Sequence, residues 1–172
     1  MLGLMSTSPT PTAPPTRARR PIDFDRNLSY HLTSTVNLTT TWTVRQICRR
    51  FGLNVREWRV LAILGSYAPL CARDIVARTG MDKATVSRAV KALMRTGLLA
   101  SDRDRCDKRR TRLWLSPQGA ALHDRITPIS EDFYARFDAG LSEDERAALL
   151  ALLKKLRRHA ALVLDQPEDS SP

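Results

Sequence analysis

The sequence contains little of what enzymes and metalloproteins use for their chemistry. Its 172 residues include three cysteines and three histidines, and these form neither a Cys-x-x-Cys pair nor a cluster at metal-ligand spacing. A glycine-rich phosphate loop and a nucleophile elbow are also missing. We therefore expect no enzymatic activity, no metal site and no cofactor.

Long apolar runs are missing as well. No stretch is long enough to cross a bilayer, and the N-terminus lacks the uninterrupted apolar region of a secretory signal. The three cysteines are widely separated and odd in number, which fits reduced thiols. These features predict a cytoplasmic protein with no membrane partner.

Positive charge is what the chain has in excess. Lys and Arg outnumber Asp and Glu by 28 to 18, a formal net charge of +10, and such a field attracts polyanions. Residues 1–21 are rich in Pro, Thr, Ser and Arg, which predicts a disordered tail. Residues 166–172 form a second polar tail, so the expected domain spans residues 22–165.

Periodicity and capping residues divide the first half of this domain into helices. Residues 25–51 carry apolar residues at mostly helical intervals, although their many threonines favour a strand. Asn54, with a glutamate three residues later, predicts a capping box and a helix that ends near Tyr67. A short helix over Ala72–Thr79 follows, closed by Gly80.

The next helix, capped by Asp82 and closed by Gly97, has two different faces. The predicted apolar face carries Val86, Val90, Leu93 and Met94. The other face is small, hydroxylated and cationic, and residues 82–95 carry a net charge of +3 because four cations oppose Asp82 alone. Such a face suits the phosphates and base edges of DNA, whereas a protein-assembly surface would be more apolar.

Two short strands are predicted at residues 98–101 and 111–115, joined by a charged hairpin tip. A hairpin directly after such a helix is a wing, and its arginines suit a narrow minor groove. Two long helices then follow, the last one opened by a capping box at Ser142. The expected fold is mainly α with a small β-hairpin wing: a winged helix-turn-helix lobe at residues 54–115, flanked by helices at 25–51 and 117–163.

This order of elements resembles the multiple-antibiotic-resistance regulator (MarR) family of bacterial transcription factors. The segment MDKATVSRAVKALMRTGLL, starting at Met81, looks like the family's recognition helix. The segment DRDRCDKRRTRLWLSPQG, starting at Asp102, looks like its wing and the opening of the next helix. LNVREWRVLAIL, starting at Leu53, is similar to the family's second helix, so the resemblance covers residues 25–163.

The resemblance implies roles for matching residues. In the wing, Asp107 would steady an arginine, Arg109, inserted in the minor groove, with further contacts from Arg105, Lys108 and Arg110. On the recognition helix, the DNA-facing residues would be Lys83, Ala84, Thr85, Ser87, Arg88 and Lys91. We assign base reading to Ser87 and Arg88, and phosphate contacts to Lys83, Thr85 and Lys91, because Arg can bind guanine with two hydrogen bonds. For the hydroxyls of Thr85 and Ser87, local capping is the alternative, above all for Thr85.

The resemblance also implies a homodimeric repressor, with N- and C-terminal dimerisation helices, that binds a palindrome in double-stranded DNA and is released by a small aromatic or phenolic effector. The predicted effector pocket combines aromatic surface with hydrogen-bonding groups: Tyr30, His31, Ser34, Asn37, Trp42, Trp58 and Arg59. The alternative for Trp42 and Trp58 is a place in the core, and for His31 a structural role.

Two further interpretations stay open. Cys106 in the wing, or Cys71 at the start of the first helix of the helix-turn-helix, could sense oxidants. The family usually places Ser or Thr at the position of Cys71; a thiol is a poor cap, but a helix N-terminus favours a thiolate. A winged helix can also serve as a protein-assembly module, because a fold alone does not determine function.

Overall fold

The computed structural model describes residues 20–103 and 110–164. The chain divides into two compact units, residues 1–40 and residues 41–172. In chain order the helices are α1 (Leu28–Thr43), a π-helical turn (Val44–Cys48), α2 (Arg49–Phe51), α3 (Val55–Tyr67), α4 (Ala72–Thr79), α5 (Lys83–Arg95), α6 (Pro117–Asp138) and α7 (Glu143–Leu164). Two strands, β1 (Leu99–Arg103) and β2 (Thr111–Leu115), lie between α5 and α6.

In the first unit, the conflict between helical periodicity and the many threonines is resolved in favour of a helix. The Asn27 side chain accepts a hydrogen bond from the backbone N–H of Tyr30 at 2.9 Å, beside the start of α1. The hydroxyls of Thr35 and Thr39 donate to the carbonyls of His31 and Val36 at 2.8 and 3.0 Å. These bonds place the hydroxyl groups against the helix backbone, so the threonines fit within a helix despite their weak propensity.

The predicted helix at residues 25–51 is therefore helical from Leu28 onward, but it is not a regular α-helix throughout. The π-helical turn interrupts it, and α2 ends at Gly52, which has a left-handed φ of 68°. Within this turn, Ile47 is fully buried.

Helices α3, α4 and α5 form at the predicted positions and contribute to the core of the second unit. The capping box of α3 is present: Asn54 accepts from the backbone of Arg56 and Glu57, and Glu57 accepts from the backbone N–H of Asn54 at 2.9 Å. The core includes apolar side chains from the π-helical turn, these helices, the hairpin and α6: Ile47, Trp58, Val60, Leu61, Leu64, Ile75, Val86, Leu93, Leu99, Leu113 and Ile126.

The hairpin pairs antiparallel, from Leu99 opposite Leu115 to Arg103 opposite Thr111. Strand β1 thus begins one residue later and extends two residues further than the predicted strand at 98–101. A bidentate ion pair between Arg112 and Asp102, with hydrogen bonds of 3.0 and 2.7 Å, extends the pairing. The hairpin is also attached to the segment before α4, because Leu70 and Leu113 exchange backbone hydrogen bonds.

The last two helices start where the sequence predicts. Ser116 accepts from the backbone of Gly119 at 3.0 Å to cap α6, and Ser142 exchanges capping hydrogen bonds with Glu145. The outer faces of α6 and α7 expose large apolar side chains: Tyr134, Phe137, Leu149, Leu150, Leu152, Leu162 and Val163. In the described residues, no helix combines the length and the apolar character that a membrane span needs.

Candidate nucleic-acid interface

The turn between α4 and α5 positions α5, the predicted recognition helix. Gly80 adopts a left-handed φ of 70° and donates its N–H to the carbonyl of Val76 at 2.9 Å, closing α4. The hydroxyl of Thr79 donates to Ile75 at 2.7 Å and accepts from the N–H of Met81 at 3.2 Å. These bonds fix the backbone at the end of α4 and at the start of the turn that leads to α5.

Helix α5 has the apolar and the exposed face that the sequence predicts, with the exception of one residue. Val86 and Leu93 are buried together with Ala89, and Val90 is half-buried. The prediction that Met94 belongs to the apolar face is wrong, because 37% of the surface of Met94 is exposed. Met94 lies at the edge of the buried stripe. The exposed face carries Lys83, Ala84, Ser87, Arg88 and Lys91.

Thr85 differs from the other residues predicted to contact DNA, because it is only 8% exposed. Its backbone N–H donates to Asp82 Oδ1 at 2.7 Å, and its hydroxyl donates to Asp82 Oδ2 at 2.6 Å. The same hydroxyl accepts a hydrogen bond from Arg88 Nη2 at 3.0 Å. The Thr85 hydroxyl therefore supports both the helix cap and the exposed guanidinium of Arg88. This local role corresponds to the capping alternative that the sequence leaves open for Thr85.

The Asp82 carboxylate is the fixed end of this chain of hydrogen bonds. The hydroxyl and then the backbone N–H of Thr85 hold the pKa of Asp82 below its ordinary value of 3.8, and the nearby charge of Arg88 adds to the effect. At neutral pH the carboxylate is ionised, so its charge favours the N-terminal end of α5 and holds the Thr85–Arg88 pair.

The stem of the wing follows this helix in the chain, but most of the predicted wing contacts lie outside the described residues. Arg105, Cys106, Asp107, Lys108 and Arg109 fall within residues 104–109, so their roles stay predictions. Arg110 is exposed, and its charge helps to lower the pKa of Asp74 in α4, although hydrogen bonds from Cys71 are the larger cause.

Cys71 is hydrogen-bonded to Asp74 at the start of α4. Its backbone N–H and its thiol both donate to Asp74 Oδ2, at 3.0 and 2.9 Å. Cys48 is buried, and burial, followed by the charge of Glu57, raises the pKa of its thiol.

The predicted effector residues are divided between the two units. In the first unit, Tyr30, His31 and Asn37 are exposed and Ser34 is half-buried, and His31 Nε2 lies 2.9 Å from the carbonyl oxygen of Asp25. In the second unit, Arg59 is exposed, Trp58 is 6% exposed within the core, and Trp42 is half-buried. A pocket shared by these two sets of residues stays a prediction.

Sequence reasoning missed the partners of the two tryptophans. The Trp42 ring stacks on Phe133 with centroids 3.9 Å apart, and Trp58 lies 6.2 Å from the ring of His123. The His123 ring packs so closely on Gly65 that a Cβ there would lie 2.3 Å from Nε2. A glycine inside a helix pattern is the one signal that could have indicated this close approach. In the described residues, we find no group of His, Cys, Asp and Glu that could hold a metal ion.

Comparisons with known proteins agree with this architecture. The family profile described as "MarR family" matches residues 51–110. The Bacillus subtilis protein YkoM, an uncharacterised helix-turn-helix regulator, is 33% identical over 116 residues, which are 67% of this chain and 75% of YkoM. The transcriptional repressor NicR of Pseudomonas putida is 26% identical over 152 residues, 88% of this chain and 95% of NicR.

A solved structure shares both fold and sequence. Bordetella bronchiseptica BpsR, whose DNA binding is regulated by 6-hydroxynicotinic acid, superimposes with a TM-score of 0.68 at 27% identity. The match covers 80% of this chain and 97% of BpsR. The helix-turn-helix, the hairpin, the flanking helices and these relatives lead to one conclusion: the chain belongs to the MarR family of DNA-binding, winged helix-turn-helix transcriptional regulators.

Proposed function

We propose that this regulator is a homodimeric repressor that binds a palindromic operator and releases it when a hydroxylated aromatic acid binds. The observation that carries the proposal is the exposed face of α5, where an arginine is held by a buried hydroxyl beside two exposed lysines. A guanidinium held in this way loses little further entropy when it meets a base edge, which favours specific recognition over loose ionic attraction.

The contacts to DNA divide by chemistry. Ser87 and Arg88 read base edges in the major groove, while Lys83 and Lys91 hold phosphates on either side. Thr85 acts through Arg88 and not by touching DNA. In the wing, Arg109, steadied by Asp107, enters the minor groove, and Arg105, Lys108 and Arg110 add charge near the backbone.

Exposed apolar surface supports the dimer. Helices α6 and α7 present a series of large apolar side chains to solvent, and α1, described by itself, exposes Leu28, Val36 and Leu38. Apolar surface of this extent is typical of protein interfaces. A twofold dimer would place two copies of α5 about 34–36 Å apart, one helical turn of DNA, and would therefore prefer a palindrome.

The relatives support control by a small molecule. NicR is a repressor, and the DNA binding of BpsR responds to 6-hydroxynicotinic acid, a planar acid with a ring hydroxyl. An effector of this class could stack on the rings of Trp42 or Phe133 and pair its carboxylate with Arg59. It would release DNA only through a higher affinity for the dimer geometry that does not fit the operator.

The effector hypothesis is tested by two linked measurements on the full chain. A thermal-shift screen of hydroxylated benzoic and pyridine carboxylic acids identifies ligands, because a ligand at 100 times its Kd stabilises the folded state by about 2.7 kcal/mol. Each ligand is then added to a gel shift on DNA from upstream of the protein's own gene. We expect at least one acid to raise the melting temperature and release the DNA.

Controls separate this mechanism from the alternatives. Arg59→Ala should weaken the response to the acid while leaving DNA binding without ligand intact. A Cys71→Ser, Cys106→Ser double variant should respond as the wild type does. If peroxide releases the DNA and the double variant resists it, redox sensing replaces the effector hypothesis. If no DNA is bound under any condition, a protein-assembly role becomes the better interpretation.

A further inference from the structure

A cationic cleft lies between the N-terminal end of α3 and α5, which lines it from Thr85 to Arg95. It has a volume of about 740 Å³. One cation, Arg56, comes from α3, and three more, Arg88, Lys91 and Arg95, come from α5. Neither Arg56 nor Arg95 belongs to the set of DNA contacts proposed above, so the cleft extends the positive surface onto a second helix.

Among the described residues, the single carboxylate that lines the cleft is already engaged in the fold. Glu57 Oε2 accepts the backbone N–H of Asn54 at 2.9 Å as part of the α3 capping box. By contrast, we find no hydrogen bond or ion pair to the side chains of Arg56, Lys91 or Arg95 within residues 20–103 and 110–164. In this part of the chain, the cleft thus has three cations without a partner and one carboxylate, which is already hydrogen-bonded. Its net positive charge favours the binding of an anion.

Arg56 is the most informative of these cations, because helix stability does not explain it. It lies in the first turn of α3, where the helix dipole is positive and a cation is unfavourable. Arg95 lies in the last turn of α5, where the dipole favours a cation, so a structural role is sufficient for that residue. For Arg56, the described part of the protein supplies no favourable partner.

The α5 side of the cleft continues the face that meets DNA. Arg88, Lys91 and Arg95 are spaced three and four residues apart, so they form one stripe along the helix. Lys91 and Arg95 are separated by about 6 Å along the axis. The half-buried Ala92 also lines the cleft, and its short side chain allows a polymer backbone to approach the stripe closely.

We propose that this cleft binds the phosphodiester backbone of the DNA strand that borders the groove entered by α5, with Arg56 and Arg95 as phosphate contacts. The inference rests on the proposed DNA binding and adds a second helix to it. Because phosphate contacts carry no sequence information, Arg56 helps to position α5 in the groove and does not contribute to sequence preference. Its loss should therefore weaken binding to every duplex by a similar factor.

The test measures the salt dependence of binding to a duplex of unrelated sequence, so that no operator is needed. A fluorescently labelled duplex of about three helical turns is titrated with the full chain over a series of KCl concentrations. Each lost phosphate contact reduces the slope of log K against log salt by about 0.9. We expect Arg56→Ala to show this reduction for each bound protomer, and Arg56→Lys to retain most of the wild-type slope.

Arg49→Ala is the matched control, because Arg49 is exposed on α2 and does not line this cleft. It removes the same charge and should leave the slope unchanged. Arg56→Ala should not lower the melting temperature, since the substitution removes an unfavourable cation from a helix N-terminus. A second unrelated duplex should lose affinity by the same factor as the first.

The outcomes separate the cleft from the wider proposal. If Arg56→Ala and Arg49→Ala change the slope equally, the cleft does not bind the backbone and the inference is wrong. It is equally wrong if inorganic phosphate binds in an Arg56-dependent way while the DNA slope stays at the wild-type value, because the cleft then serves a small anion. If the wild type itself shows no salt-dependent binding, the proposed function fails before the cleft is tested.

Discussion

The Thr85 hydroxyl is hydrogen-bonded to two neighbouring side chains at once. The sequence predicts that Thr85 contacts DNA, whereas in the structure it contacts other residues of the recognition helix and its cap. A buried hydroxyl between the Asp82 carboxylate and the Arg88 guanidinium restricts the arginine before DNA arrives. Its effect should appear in base discrimination, because a restrained arginine has fewer orientations in which to contact a wrong base.

Thr85→Val tests this role, since valine has nearly the same shape but no hydroxyl. We expect discrimination between an operator and single-base variants to fall by about 1 kcal/mol, with a smaller loss of affinity for unrelated DNA. Thr85→Ser keeps both hydrogen bonds and should behave as the wild type. Competition titrations on both duplexes provide the measurement, and full discrimination by Thr85→Val would contradict the positioning role.

Gly119 illustrates a second constraint at the residue scale. A Cβ at this position would lie 1.9 Å from the carbonyl oxygen of Leu98. The Leu98 backbone is held by hydrogen bonds to Leu93 and Ser116 at 2.9 and 3.1 Å, so it cannot move away easily. Glycine here permits α6 to pack directly on the chain that leads into the wing.

Gly119→Ala should therefore destabilise the protein by about 3 kcal/mol, although alanine is normally the better helix former by about 1 kcal/mol. Gly140→Ala is the control, because a Cβ there meets no atom within 4 Å and the change should be close to neutral. Urea denaturation of both variants gives the comparison. Equal stability of the two variants would contradict the prediction, because it would mean that the Leu98 backbone can move away from a Cβ at position 119 at little cost.

At the scale of elements, the caps of the helices respond to pH. The pKa of Asp82 lies below its ordinary value of 3.8, so the ionised carboxylate stabilises the folded state. By linkage, this contribution is complete above the ordinary pKa and is lost as the pH falls through the lower folded-state value. The N-terminal end of α5 should thus weaken in acid and not in alkali.

Asp82→Asn isolates this effect, because asparagine still caps a helix but does not titrate. The melting temperature of the wild type should fall more steeply than that of the variant below about pH 4, and the two curves should run parallel between about pH 5 and pH 7. Parallel curves throughout the acid range would mean that the Asp82 carboxylate contributes no pH-dependent stability.

The elements also show what local sequence can predict. Asn54, Asp82, Ser116 and Ser142 mark helix starts correctly because each cap is a bond between residues two or three positions apart. The π-helical turn at Val44–Cys48 has no such local mark, and its Ile47 packs into a core assembled from residues distant in the sequence.

The same division between local and distant contacts applies to the candidate site. The spacing of Lys83, Ser87 and Arg88 predicts their exposure correctly, because helical periodicity fixes one face. It cannot distinguish Thr85, which shares that stretch but is turned inward by its bonds to Asp82 and Arg88. The cleft at Arg56 depends on the approach of α3 to α5, which no local pattern encodes.

At the scale of the whole molecule, the proposed dimer accounts for the exposed apolar surface of α7. Leu152 is 63% exposed in the single chain, and burying such a side chain contributes about 1.5–3 kcal/mol. In a twofold dimer each such contact occurs twice, so a charge at this position should be strongly unfavourable.

Leu152→Glu should weaken dimerisation by about 3 kcal/mol or more. Lys154→Glu is the control, since this position lies about 200° around the helix from Leu152 and should not affect assembly. Light scattering at micromolar concentration measures the mass of each variant. A wild-type chain that is monomeric, or a Leu152→Glu chain that remains dimeric, would contradict the assignment of this face.

The most direct test of the central claim is an anisotropy titration of the full chain with two duplexes over a range of salt concentrations. One duplex is the DNA upstream of the protein's own gene, and the other has the same base composition in a scrambled sequence. We predict tighter binding to the upstream duplex, a steep loss of affinity with salt for both, and loss of the preference in Arg88→Ala. Equal, salt-insensitive binding of the two duplexes would contradict the role of α5 as a reader of DNA sequence.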